Sequence, residues 1–218
     1  MKKDPVIKTK RLLITPLSDE QLEERINSAA DDSLKGAYRE MLDGCIADPA
    51  HRLWYTAWDI RLKSDKTSIG DLGFKGPQKN AAVEIGYGLE EPQWGNGYAT
   101  EAARAAIDWA FSQTDVYFVE AETEPDNAAS QRVLEKLGFS ADGTFGEEGP
   151  RYVLEKPLPS WFAVYMCLGI SVGTSFGLAA DKLSVGMCIG LVFGLCIGCS
   201  LDAAEKKKRK ELRSKRTE

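Results

Sequence analysis

Two stretches hold residues able to bind and react. In the first, Gly95, Asn96 and Gly97 stand directly before the alanine-rich run Tyr98 to Phe111. The first turn of a helix presents unpaired backbone N–H groups and the positive end of its dipole, so a loop free of bulky side chains admits phosphate oxygens to those donors. That is the chemistry of a pyrophosphate cradle. The second stretch is AVEIGYGL, residues 82 to 89. Read as a strand, it sets Val83, Ile85, Tyr87 and Leu89 on one face and Ala82, Glu84, Gly86 and Gly88 on the other. The second face is bare apart from Glu84. A bare face lets a ligand lie along backbone; close packing of another element is the alternative.

These residues need elements to position them. In GNGYATEAARAAIDWAF, Ala99, Ala102, Ala103, Ala106, Ile107, Ala110 and Phe111 recur at helical spacing, with Glu101, Arg104 and Asp108 on the other side. Residues 8 to 15 predict a first strand, and SDEQLEERINSAA and DDSLKGAYREMLDG predict two helices with acidic first turns. From residue 53 to 89 the period becomes two: LWYTAWDIRL, TSIGDLGFKG and AVEIGYGL, separated by KSDK and PQKN, predict an antiparallel meander. VYFVEAET then predicts a strand, DNAASQRVLEKLG a helix closed by Gly138, and FSADGTFG and RYVLEK short strands. This is an α+β pattern with a mixed sheet flanked by helices.

The chain of 218 residues is 43% hydrophobic and 28% charged, enough for one domain with something left over. From Trp161 to Leu201 the only charged residues are Asp181 and Lys182, so a boundary falls near Pro157 and Pro159. Residues 202 to 218 hold eight Lys or Arg against four Asp or Glu, so the rest carries −9 of the chain's net −5. An acidic body argues against nucleic acid as the main partner. The opening MKKDPVIKTKR lacks the apolar core of a secretory signal. Five cysteines, four of them in the apolar part, and a lone His51 show no metal-ligand spacing and read as reduced small hydrophobes and a loop histidine.

EIGYGL, then PQWGNGYATEA, then DNAASQRVLEKLGF resemble, in order and spacing, the GNAT N-acetyltransferase superfamily, in particular the branch of the ribosomal-protein-alanine (RimJ/RimL-like) N-acetyltransferases. The resemblance covers residues 8 to 156 and defines a domain over 8–158. It implies acetyl-CoA as donor, without a metal. The pyrophosphate would rest on Gly95, Asn96, Gly97, Tyr98, Ala99 and Thr100, and the pantetheine arm beside the strand ending at Leu89, with Asn127 facing that arm. The first position of the glycine motif, often Arg or Gln, is Trp94. Many relatives also place a proton-donating tyrosine where this chain has Leu134, so Ser130 or a bound water must serve, or no group does.

Acetyl transfer to an amine needs a neutral nitrogen, a polarised thioester carbonyl and a proton for the leaving sulfur. Glu84 is the first candidate base; the alternative is a solvent-facing residue of a half-buried strand. Glu120 and Glu122 either bind an amine or form a solvated edge, and Ser130 either approaches the sulfur or caps its helix. Trp54, Tyr55 and Trp58 fit core and sheet. With no cysteine in the body near the motif, direct transfer in a ternary complex is expected. The acceptor is a protein or peptide α-amine, or a small amine. The rival reading is an acetyl-CoA sensor without turnover.

Residues 161–180 and 185–201 each approach the roughly 20 residues of a helical membrane span, and the DKLS turn between them predicts a two-helix apolar hairpin over 159–201 in contact with membrane lipid. The basic tail, 202–218, places both ends in the cytoplasm. Gly169, Gly173 and Gly177, and Gly186, Gly190, Gly194 and Gly198, recur every fourth residue. Such faces let backbones approach closely, within the hairpin or between copies of the chain.

Overall fold

The computed structural model describes residues 4–77 and 79–216. Met1 to Lys3 of the opening stretch, Gln78 of the PQKN turn and the last two residues of the basic tail lie outside the described residues. The chain divides into two units, Met1–Lys156 and Pro157–Glu218.

The first unit runs β1 (Ile7–Lys8), β2 (Leu12–Pro16), α1 (Asp19–Ser28), α2 (Asp32–Ala47), β3 (Trp58–Leu62), β4 (Ser68–Phe74) and β5 (Ala82–Leu89). It continues with α3 (Tyr98–Ser112), β6 (Phe118–Glu122), α4 (Ala128–Leu137), β7 (Ser140–Phe145) and β8 (Pro150–Glu155). The predicted helices start at side chains able to cap them. Ser18 accepts from the Gln21 N–H at 3.3 Å while the Gln21 side chain accepts from the Ser18 N–H at 2.9 Å, and Asp31 accepts from the Leu34 N–H at 2.7 Å.

One expectation shifts. The strand predicted from Leu53 begins at Trp58, because Pro49–Trp54 forms a 3-10 turn. Arg52 fastens that turn by donating to the Leu17 carbonyl at 2.8 and 3.1 Å, and Thr56 donates to the same oxygen at 2.9 Å. Trp54 then packs edge-on against Phe74, ring centroids 5.0 Å apart.

The sheet has eight strands in the order β1-β2-β3-β4-β5-β6-β8-β7, antiparallel throughout except for β5 beside β6. It is the mixed sheet the pattern predicts. α3 packs its small face, Ala102, Ala103, Ala106 and Ala110, into one core with Val83 and Ile85 of β5 and Leu134 of α4. Alanine on that face lets the helix lie close to the strand whose end it must serve. On the opposite face Tyr38 of α2 donates to Asp71 of β4, which pairs across the ladder with Gly88.

The second unit is a hairpin of α5 (Trp161–Ala179) and α6 (Leu183–Arg216). The glycine faces meet each other inside one chain. A Cβ at Gly173 would lie 2.9 Å from the Gly190 Cα, and one at Gly198 would lie 2.6 Å from the Phe162 Cα. Of the two uses expected for these faces, the structure shows packing within the hairpin. The outward residues of the hairpin include the exposed Leu168, Val172, Phe176 and Val192. α5 has 19 residues, about 28 Å of helix against a hydrocarbon layer of about 30 Å. α6 does not stop near residue 201: Ala, Glu, Lys and Arg favour helix, so the basic tail continues the span as one helix of 34 residues. Asp202 of α6 accepts from the N–H groups of Trp161 and Phe162 at 2.9 and 3.3 Å, capping α5 where Ser160 provides no side-chain cap.

Candidate active site

β5 and β6 are paired only as far as Glu84 and Glu120. Beyond that register β5 runs on to Leu89 against β4 alone, while β6, paired with β8 along its whole length, continues through Ala121 and Glu122. The two parallel strands part, and a wedge opens between them. The Lys75 N–H donates to the Glu84 carbonyl and the Glu90 N–H to that of Ile69. Alternation along an antiparallel ladder then directs the backbone groups of Tyr87 away from β4, into the wedge. Trp94, 60% exposed, closes one end of the strand by donating its indole N–H to the Leu89 carbonyl at 2.7 Å.

The glycine loop follows at once. Gly95 and Gly97 both have φ +75°, a left-handed conformation that side chains disfavour. Gly97 is the N-cap of α3 and offers no side-chain cap. The first helical bond there runs from the Glu101 N–H to the Gly97 carbonyl, so the N–H groups of Tyr98, Ala99 and Thr100 have no intrahelical acceptor. The loop is held from outside. Arg11 donates to the Asn96 carbonyl at 3.0 Å and to Glu101 at 2.7 Å, and its guanidinium lies 4.4 Å from the centre of the Tyr98 ring. Thr9 also donates to Glu101, at 2.6 Å. Burial pushes the Glu101 carboxyl up, but these hydrogen bonds outweigh it and hold the group below its usual range. Asn96 ties its side chain back to the Gln93 and Trp94 carbonyls at 3.2 and 3.3 Å.

On the bare face of β5, a Cβ added at Gly86 or Gly88 would meet nothing within 4 Å. Glu84 stands at one end of this trough, 2.5 Å from the Lys75 ammonium, which also binds Glu148 at 3.0 Å. Burial raises the Glu84 pKa by more than Lys75 lowers it. At the other end Asp71, across from Gly88, is held by the Tyr38 hydroxyl, and burial raises its pKa as well. Asp71 is not among the residues expected from the sequence. Its signal was a lone carboxylate within the strand SIGDLGF.

Glu120 and Glu122 are not on a solvated edge, because β6 lies inside the sheet between β5 and β8. Glu122 is half-buried with its side chain 2% exposed, and is committed to Arg151 at 2.6 Å and to the Glu148 N–H at 3.2 Å. Glu120 sits beside Glu84 in the parallel register.

α4 begins at Asn127, whose side chain accepts from the Ser130 N–H at 3.0 Å. Leu134 is 1% exposed and belongs to the core. The residue that brings a hydroxyl to this helix is Tyr87, from the strand: its oxygen lies 3.2 Å from the Ser130 Oγ. Burial raises the Tyr87 pKa, which keeps it a protonated donor. Alternation alone set Tyr87 on one face with Val83, Ile85 and Leu89, and only the packing of α4 shows what its hydroxyl meets.

A parallel pair that parts beside a glycine loop opening a helix leaves an extended groove with uncovered backbone N–H groups at one end. The comparisons agree: residues 6–140 match the family model described as Acetyltransferase (GNAT) domain, and residues 156–204 match one described as Glycine zipper membrane protein. The chain belongs to the GNAT acetyltransferase family, and its second unit is a glycine-zipper hairpin with two helices long and apolar enough to cross a membrane. Over 142 residues it is 34% identical to the uncharacterized N-acetyltransferase p20 of Bacillus licheniformis, covering 64% of this chain and 70% of that one. The fold is shared with ribosomal-protein-S5-alanine acetyltransferase of Vibrio fischeri, with TM-score 0.56 and 17% identity over 71% of this chain and 100% of that one. It is also shared with RimL, a ribosomal L7/L12 α-N-protein acetyltransferase solved in complex with coenzyme A, with TM-score 0.55 and 17% identity over 69% and 98%.

Proposed function

We propose that this enzyme moves an acetyl group from acetyl-CoA to the α-amine of a protein or peptide, directly, at the cytoplasmic face of a membrane. The wedge between β5 and β6, opening beside the glycine loop, is the observation that carries this reading. The residues present fit the donor. The N–H groups of Tyr98, Ala99 and Thr100, with Gly95, Asn96 and Gly97 leaving them uncovered, would take the pyrophosphate. The β5 edge ending at Leu89, and Asn127 across from it, would flank the arm. The bound thioester supplies an activated acyl group, and the chain's own residues manage the protons. Glu84 takes a proton from the incoming ammonium, with Asp71 a second carboxylate along the trough. The hydroxyls of Tyr87 and Ser130 donate toward the departing sulfur.

Support for an α-amine comes from the acidic trough and from the ribosomal-protein substrates named for the two structural neighbours. Support for the cytoplasmic side comes from the eight Lys or Arg after residue 201. The test is thiol release from acetyl-CoA by the full chain, against peptides of varied N-terminus, polyamines and aminoglycosides. Turnover with peptides is expected. Turnover with small amines alone would move the acceptor to that class. Silence with acetyl-CoA still bound would favour a sensor, the reading to which the buried Leu134 lends weight.

A further inference from the structure

The helical continuation of α6 carries charges that are distributed unevenly. Lys206, Lys207, Lys208, Arg209 and Lys210 follow one another, beginning five residues after Leu201, the last apolar residue of the span. At 1.5 Å per residue the basic run begins about 7 Å beyond the apolar segment and is itself about 7 Å long. That interval matches the headgroup layer, which adds roughly 5 to 8 Å to each side of the hydrocarbon. Because α6 is unbroken through Arg216, the run is held at this height by the span itself.

The helix also sorts the charges by face. Glu205 is half-buried and spent on Arg209 at 3.1 Å, one turn along, and Arg209 is itself buried and donates to the Pro157 carbonyl at 3.2 Å. Asp202 is spent on the start of α5. Lys206, Lys207 and Lys210 are exposed, with Lys206 and Lys210 one turn apart on the same line. The acids nearest the span are thus turned inward and the lysines outward.

We infer that Lys206, Lys207 and Lys210 form a binding surface for the headgroups of anionic phospholipids, giving the hairpin a preference for negatively charged bilayers over neutral ones. The inference rests on the hairpin's being inserted in a membrane. Single-stranded RNA is the other polyanion this run could meet, but the geometry favours lipid because the lysines stand at headgroup height.

The experiment reconstitutes the full chain in vesicles of phosphatidylcholine with a minor share of phosphatidylglycerol, extracts it gently in neutral detergent, and measures the ratio of the two lipids retained. The wild type should retain lipid enriched in phosphatidylglycerol, and the enrichment should fall as salt rises. Each lysine near a charged surface changes affinity roughly fivefold, so K206Q/K207Q/K210Q should weaken phosphatidylglycerol retention about 100-fold. These exposed sites carry no packing, and unchanged helical circular dichroism would show that the variant is folded. A wild-type ratio equal to that of the vesicles, or enrichment that survives the triple substitution, would overturn the inference. So would salt-sensitive retention of single-stranded RNA without lipid enrichment. Release of the wild type from vesicles by alkaline wash would instead overturn insertion itself.

Discussion

Glu84 differs from a surface glutamate in that burial sets its pKa higher and Lys75 fixes its position. A base with a raised pKa loses its charge at higher pH, so thiol release should begin to fall before acidification reaches the usual carboxyl range near ~4.3. Glu84→Gln should lower turnover roughly 100-fold and remove that acid limb while leaving CoA affinity intact. Loss of binding together with turnover would make Glu84 structural. Tyr87→Phe with Ser130→Ala should lower turnover more than either change alone, since each hydroxyl then lacks a substitute; a double variant no worse than Ser130→Ala would remove Tyr87 from the chemistry. Glu101 has the opposite sign. Its folded pKa is lowered, so its contribution to stability is present above the unfolded value near ~4.3 and is lost as pH falls through the lower folded value. The melting-temperature gap between the wild type and Glu101→Gln should accordingly close in acid. At this scale the sequence revealed what alternation can reveal, Glu84 on a bare face. It could not reveal the Tyr38 hydroxyl on Asp71 or the Ser130 hydroxyl beside Tyr87, contacts that depend on α2 and α4 arriving from elsewhere in the chain.

Among the elements, α3 and its loop were the most legible, because a glycine loop and a helical run of alanines are local signals. The wedge was not, since where two strands stop pairing depends on register rather than composition. Gly97→Val, at φ +75° in the cradle, should reduce CoA affinity at least tenfold by calorimetry with the fold retained. Equal affinity would remove the cradle argument. The hairpin offers a matching test. A side chain at Gly173 has no room beside the Gly190 Cα, so Gly173→Val should separate the helices and reduce crosslinking between cysteines placed across them. Asp202→Ala removes the side-chain cap on the start of α5 and should destabilise the hairpin by about 1 kcal/mol in a detergent melt.

For the whole molecule, the sudden loss of charge after residue 160 made the two-part plan readable, and the two units fall on either side of Lys156. What composition concealed was continuity, because the switch from apolar to basic at residue 201 looks like a boundary and is only a change of side chain on one helix. α6 is one unbroken helix of 34 residues, about 51 Å long, and no Gly or Pro follows Gly198 up to Arg216, so the stretch that joins the apolar part to the lysines is a rod. A rod has no joint. Immersion depth of the apolar part and height of the lysines above the bilayer are therefore one mechanical coordinate. A slip of one helical turn at either end carries the other through the same 5.4 Å or so.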